Sequence, residues 1–108
     1  MSHNQYASAI NAVYSCAAAC DHCATACLTE DNVKMMAECI RLDLDCAQIC
    51  RFTAAAMARG SDSVRQIADL CAQICDNCAA ECEKHEHDHC KECAAACRKC
   101  AEECRKAA

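Results

Sequence analysis

The sequence predicts an all-α protein: an antiparallel, up-down-up-down four-helix bundle with a cysteine-lined interior. Three observations carry that expectation. The 108 residues contain no Pro and a single Gly, Gly60, while Ala is abundant, which is the composition of long helices joined by short turns. Sixteen residues are Cys, and they recur in alternating steps of three and four. Such steps average to one helical turn, so each run of Cys forms a stripe on one helix face.

The first helix is expected over residues 4–28, carrying Cys16, Cys20, Cys23 and Cys27. Thr29 to Asp31 forms a turn, with Asp31 as the candidate N-cap of a second helix over 32–58. That helix carries Cys39, Cys46 and Cys50, and Asp43 occupies the position where the rhythm requires a further Cys. Gly60 is placed to end it in a left-handed conformation. Ser61 or Ser63 can cap a third helix over 62–84, and Ser63 with Gln66 has capping-box spacing. Its stripe is Cys71, Cys75, Cys78 and Cys82. The stretch from Glu83 to His89 is the third turn, with Asp88 as candidate cap for a fourth helix over 88–106. Cys90, Cys93, Cys97, Cys100 and Cys104 mark that helix. The segments CAAACDHCATAC, CAQICDNCAAEC and CAAACRKCAEEC share one template, so the chain is internally repetitive. Connections this short force neighbouring helices to run antiparallel.

Residues 1–108 are expected to form one domain. Few Leu, Ile, Val, Met or aromatic residues remain for an ordinary core, so Cys must pack as a small hydrophobe or be cross-linked by something. Antiparallel order predicts one end ring of Cys27, Cys39, Cys82 and Cys90 and an opposite ring of Cys16, Cys50, Cys71 and Cys104. At about 1.5 Å per residue each stripe runs for roughly 16 to 21 Å. Past Cys16, Cys50 and Cys71 the stripes continue into Val13, Met57, Ile67 and Val64, an apolar plug. Past the other ring lie Met35, Met36, His85 and His89, with His87 close by.

The net charge of −5 argues against a nucleic-acid partner. No segment is apolar enough to cross a membrane, and the first fifteen residues lack a basic start followed by an apolar stretch. A cytosolic location is therefore expected, where thiols stay reduced. Disulfides suit turn-rich secreted chains, and successive Cys on one helix point the same way, which is poor geometry for an S–S bond. Simple packing does not explain regular stripes on four helices. The C-x-x-C pairs, such as Cys20/Cys23 and Cys75/Cys78, belong to a longer helical period and lack the irregular backbone that wraps an iron–sulfur cluster.

Thiolates select soft d¹⁰ ions, Cu(I) and Zn(II). Shared among zinc ions at about four sulfurs each, the thiolates would leave every site near −2, a costly charge to bury. Cu(I) takes roughly two or three thiolates, and bridging sulfurs allow about one copper per thiolate, which leaves the filled tube nearly neutral. The empty tube with protonated thiols is nearly neutral too. Copper is the expected cargo, with all sixteen Cys as ligands.

His85, His87, His89, Met35 and Met36 are the candidate copper entrance, because imidazole and thioether are weaker Cu(I) ligands that suit capture and hand-off. His3 and His22 are read as surface residues. Asp43 is a hard ligand unsuited to Cu(I); hydrogen bonding to thiols, hydrogen bonding to a mouth-side His, and an outward tilt all remain open for it. Arg41, Lys99, Glu102 and Glu103 read as a solvated face. No catalytic residues stand out, so no enzyme is expected. The alternatives are a metal-sensing or copper-delivery interaction protein and, less favoured, a thiol redox enzyme.

The CxxxCxxCxxxC stripe at Cys16–Cys27, CIRLDLDCAQIC at Cys39–Cys50, the stripe at Cys71–Cys82 and KHEHDHCKEC leading into Cys90–Cys104 together resemble the cytosolic, leaderless branch of the bacterial copper storage proteins. The resemblance covers essentially the whole chain, including the Asp43 gap. It implies many Cu(I) ions held by Cys thiolates, loading through the His end, and a homotetramer. Leu42 and Leu44 are spare apolar residues for such contacts. Buffering or detoxification of copper, or supply to a copper chaperone or cuproenzyme, would use the same chemistry.

Overall fold

The computed structural model describes residues 5–108. His3 lies outside them. Among the described residues there are four α-helices: α1 over Ala7–Leu28, α2 over Ala37–Arg59, α3 over Val64–Cys82 and α4 over Asp88–Ala107. Each packs on two neighbours in the cyclic order α1, α2, α3, α4 and back to α1, which is the expected up-down-up-down ring. Ala17, Ala47, Ala72, Ala79, Ala94 and Ala101 are buried between the helices, and their small side chains let the backbones approach. No helix among the described residues is long and apolar enough to cross a membrane.

The turns depart from the expected caps. A 3-10 turn over Val33–Met36 precedes α2, with Asn32 rather than Asp31 at its start. The tighter turn delays the start of α2 to Ala37. Ser63 occupies the N-cap position of α3 without a side-chain cap, so the Ser63–Gln66 box is not made. Instead the Ser63 backbone N–H donates to Ser61 Oγ at 3.1 Å. Asp88 is the first residue of α4 itself, where its charge suits the positive end of the helix, and His87 holds the N-cap position.

Gly60 behaves as its position predicts. It adopts φ 66°, ψ 42°, and Ser61 N–H reaches Ala56 carbonyl at 2.9 Å while Gly60 N–H reaches Met57 carbonyl at 3.1 Å. These two bonds form the Schellman arrangement that satisfies the last carbonyls of α2.

Glu103 corrects the reading of a solvated face. Its side chain is only 7% exposed, accepts the Ser8 hydroxyl at 3.0 Å, and pairs with Lys106 at 3.1 Å and Lys99 at 3.3 Å. It thereby ties the start of α1 to the end of α4. Lys106, Ser8 and Lys99 hold its carboxyl below the ordinary range. Arg41 and Glu102 are exposed as expected, and so is His22.

Replacing Gly60 by Ala forces a Cβ into a left-handed conformation and should cost the metal-free protein about 1 kcal/mol. Urea unfolding followed by circular dichroism checks this, and an unchanged midpoint would contradict the assigned turn.

Candidate metal-binding interior

All sixteen Cys side chains are free thiols and all are fully buried. The helical stripes bring them into one column. Cys23, Cys27, Cys39 and Cys90 lie within 4.8 Å of one another at one end. Deeper groups of the same span are Cys20, Cys78, Cys93 and Cys97, then Cys16, Cys20, Cys46 and Cys97, then Cys16, Cys46, Cys50 and Cys75. The column finishes with Cys50, Cys71, Cys75 and Cys100, with Cys104 4.0 Å from Cys100.

The register differs from the expected rings. Cys16 lies 3.6 Å from Cys97 and 3.8 Å from Cys46, so it belongs to an inner layer rather than to the terminal ring with Cys71 and Cys104. At the other end Cys23 joins the mouth, 3.9 Å from both Cys39 and Cys90. Cys82 contacts Cys39 at 3.5 Å from the deeper side. The stripes differ in length: α4 carries five thiols and α1 four, so the α1 stripe ends at Cys16, short of the layer that holds Cys71 and Cys104. The step below Cys16 is Val13, which is fully buried with Met57, and Ile67 packs against the same core. Val64 is buried as well, so the far end is apolar as expected.

Asp43 is fully buried and turned inward. Its Oδ1 accepts from Cys78 at 3.1 Å, Cys93 at 3.3 Å and Cys82 at 3.7 Å, and its Oδ2 accepts from Cys39 at 3.8 Å. Of the three roles open to it, hydrogen bonding to thiols is the one adopted. The thiol–thiol hydrogen bonds fall into two sets that meet at this residue. The mouth set is Cys23, Cys27, Cys39, Cys82 and Cys90. The deep set runs from Cys93 and Cys20 through Cys16, Cys46 and Cys75 to Cys50, Cys71 and Cys100. Burial pushes the Asp43 carboxyl up to about 10, with the adjacent Cys93 and Cys78 adding to the rise. Burial likewise pushes the Cys90 thiol up to about 11, with Cys39 adding to it, and raises Cys27 for the same first reason. Burial away from water favours the neutral form of a thiol, which is the form expected of the metal-free interior.

The residues expected at the mouth separate into distinct settings. His89 Nδ1 faces the thiols, 3.5 Å from Cys23, 3.6 Å from Cys90 and 3.9 Å from Cys27. His87 stacks on His89 with ring centroids 5.3 Å apart. His85, in the turn after α3, pairs instead with Glu81 at 3.0 Å. Met36 is fully buried, whereas Met35 is 70% exposed, with its sulfur receiving the Asn32 amide. Glu30, to which sequence spacing assigns nothing, contacts both His87 and His89. It lies 59 residues from His89, so no local motif could have shown it.

Neighbouring sulfurs within hydrogen-bonding reach are 3.5 to 4.0 Å apart. Around a metal–sulfur bond of about 2.3 Å, trigonal or tetrahedral sulfurs stand roughly 4 Å apart. The interior is thus spaced to receive soft metal ions without moving its helices. A family model described as copper storage protein matches residues 2–108 of the sequence. The chain belongs to the copper storage protein family. Among solved structures, the Cu(I)-bound Bacillus copper storage protein BsCsp3 is 48% identical, covering 91% of this chain and 92% of that one, with a TM-score of 0.87. A cytosolic copper storage protein from Streptomyces lividans, studied during copper loading with five coppers, is 40% identical over 97% of this chain and 92% of that one, with a TM-score of 0.92. The uncharacterized cysteine-rich protein YhjQ of Bacillus subtilis is 49% identical over 64 residues, which are 58% of this chain and 59% of that protein. The match to YhjQ therefore spans less than two thirds of that relative.

The raised Asp43 carboxyl has a testable consequence for the metal-free protein. Its folded-state value near 10 lies above the ordinary value of 3.8, so folding takes up a proton between those limits. Stability then falls as pH rises through that window, by up to about 1.4 kcal/mol per pH unit from this group. Asp43→Asn should unfold with a flatter dependence between about pH 5 and pH 8. Equal slopes for the two proteins would contradict a protonated Asp43.

Proposed function

We propose that this chain stores Cu(I), about one ion per thiolate, in the column lined by its sixteen Cys residues. The observation that carries the reading is that every thiol is buried in one connected column with Asp43 as the lone hard ligand within it. A full complement of thiolates needs about one positive charge per sulfur to be tolerated there, and only a monovalent soft ion supplies that ratio. Each arriving Cu(I) displaces about one thiol proton, so the interior passes from one neutral state to another.

His89 is the first ligand at the mouth in this reading, with His87 beside it. His85 and Met35 serve at the rim, and Met36 packs behind them. The far end is closed by Val13, Met57 and Val64, so copper enters and leaves at the His end. Residues 1–108 act as one storage domain rather than an enzyme. The Streptomyces relative described as cytosolic supports a cytoplasmic site for this chain as well. Exposed Tyr14, Leu44, Phe52 and Leu70 support a homo-oligomer, the tetramer implied by the family resemblance. A copper chaperone or cuproenzyme is the natural exchange partner, since a store is useful only when it hands its cargo on.

An anaerobic Cu(I) titration against a competing chelator should saturate near sixteen ions per chain. Saturation near four, or equal preference for Zn(II), would overturn the copper array. Replacing Cys75 or Cys97 should remove roughly one equivalent. Replacing His85, His87 and His89 together should slow uptake and release while leaving capacity nearly intact; a proportional loss of capacity would show that they are not merely an entrance.

A further inference from the structure

Glu30 lies outside the thiol stripes. It stands two residues past α1, after the C-cap Thr29, and its backbone N–H donates to the Cys27 carbonyl at 3.2 Å, which ties its backbone to the last thiol of that helix. From there its side chain crosses to the turn before α4. One carboxylate oxygen, Oε2, stands 2.8 Å from His89 Nε2 and 3.4 Å from His87 Nδ1. The two rings are stacked with planes 4° apart, so His87 packs flat against the ring that Glu30 holds.

The chemistry of this contact fixes the other edge of His89. An ionised carboxylate only accepts hydrogen bonds, so the nitrogen facing it carries the proton. A neutral imidazole has a single N–H, which leaves Nδ1 with a free lone pair. Nδ1 is the atom that faces Cys23, Cys27 and Cys90. The His89 side chain is only 12% exposed, so the ring has little room to turn away. His85 differs, because its carboxylate partner is Glu81, four residues back in the last turn of α3, and no thiol lies within hydrogen-bonding reach of its ring.

We infer that Glu30 is the positioning residue for His89: by accepting Nε2–H across the mouth it presents the Nδ1 lone pair to an arriving Cu(I) beside the mouth thiols. This rests on reading the chain as a Cu(I) store with His89 at its entrance. The carboxylate sets the tautomer, fixes the ring angle and raises the basicity of the donor nitrogen. It also joins the α1–α2 turn to the turn before α4, so the two halves of the mouth are held at one spacing.

Nitrogen-15 NMR of the metal-free protein, with histidine labelled, reads the tautomer directly. The intact protein should show His89 as a single Nε2–H form with a slowly exchanging proton. Glu30→Ala should mix the tautomers and expose that proton, while Glu30→Gln, whose amide oxygen still accepts, should retain most of the order. Anaerobic stopped-flow transfer from a chelated Cu(I) donor gives the second readout. Glu30→Ala should slow uptake of the first copper about ten- to hundred-fold with the final copper number unchanged, and Glu30→Gln should fall nearer the intact protein. The Glu30→Ala/His89→Ala pair should be no slower than His89→Ala alone. A single protected tautomer in Glu30→Ala, or slowing by Glu30→Ala that persists without His89, overturns the inference. A His89→Ala protein that loads at the intact rate overturns the entrance reading itself, and the NMR result then decides independently whether Glu30 holds the ring.

Discussion

Every cysteine sulfur of this protein lies in a space that water does not reach, and a thiolate there has no solvent to share its charge. That constraint acts on the empty and the filled molecule alike. With protons on the thiols the column is neutral, and the Cys side chains pack as small apolar groups where other bundles place Leu and Ile. With one monovalent cation per thiolate it is neutral again. Divalent ions meet the constraint only at low loading, because about four sulfurs per ion leave unpaired negative charge. The alanines between the helices follow from the same requirement, since sulfurs 3.5 to 4.0 Å apart need closely spaced backbones.

Among the described residues Asp43 is the one carboxyl within the column, and burial raises it so that its neutral form is favoured there. It hydrogen-bonds Cys39 and Cys82 on one side and Cys78 and Cys93 on the other. The mouth set and the deep set of thiols therefore meet at a group that Cu(I) does not favour. The two ends of the column differ in the same sense: one offers an imidazole nitrogen to the first thiols, and the other is sealed by Val13 and Met57.

The helices and the thiol column were legible in the sequence because both follow from a single period. Steps of three and four fix which face of each helix turns inward, and Gly60 alone could adopt the left-handed turn after α2. The axial register of the thiol layers was not legible. The α1 stripe of four thiols ends short of the α4 stripe of five, so Cys16 lies beside Cys97 rather than beside Cys104, and Cys23 reaches the mouth. The 3-10 turn at Val33–Met36 has no strong local signal either. Glu103 was misread for a related reason: on its own helix it follows Glu102 on a polar face, and only the start of α1 covers it. The His-rich turn could be placed at one end of the thiol column from its spacing, but spacing could not separate His89 from His85, because the difference lies in Glu30 and Glu81, one distant and one local.

The measurement that bears most directly on the neutrality constraint is the number of protons released per Cu(I) bound. It can be followed by pH-stat titration of the reduced, metal-free protein under anaerobic conditions at neutral pH. A column of protonated thiols that exchanges one charge for another should release about one proton per copper throughout loading. Release well below one proton per copper would mean that thiolates were already present in the empty interior, and would contradict the account.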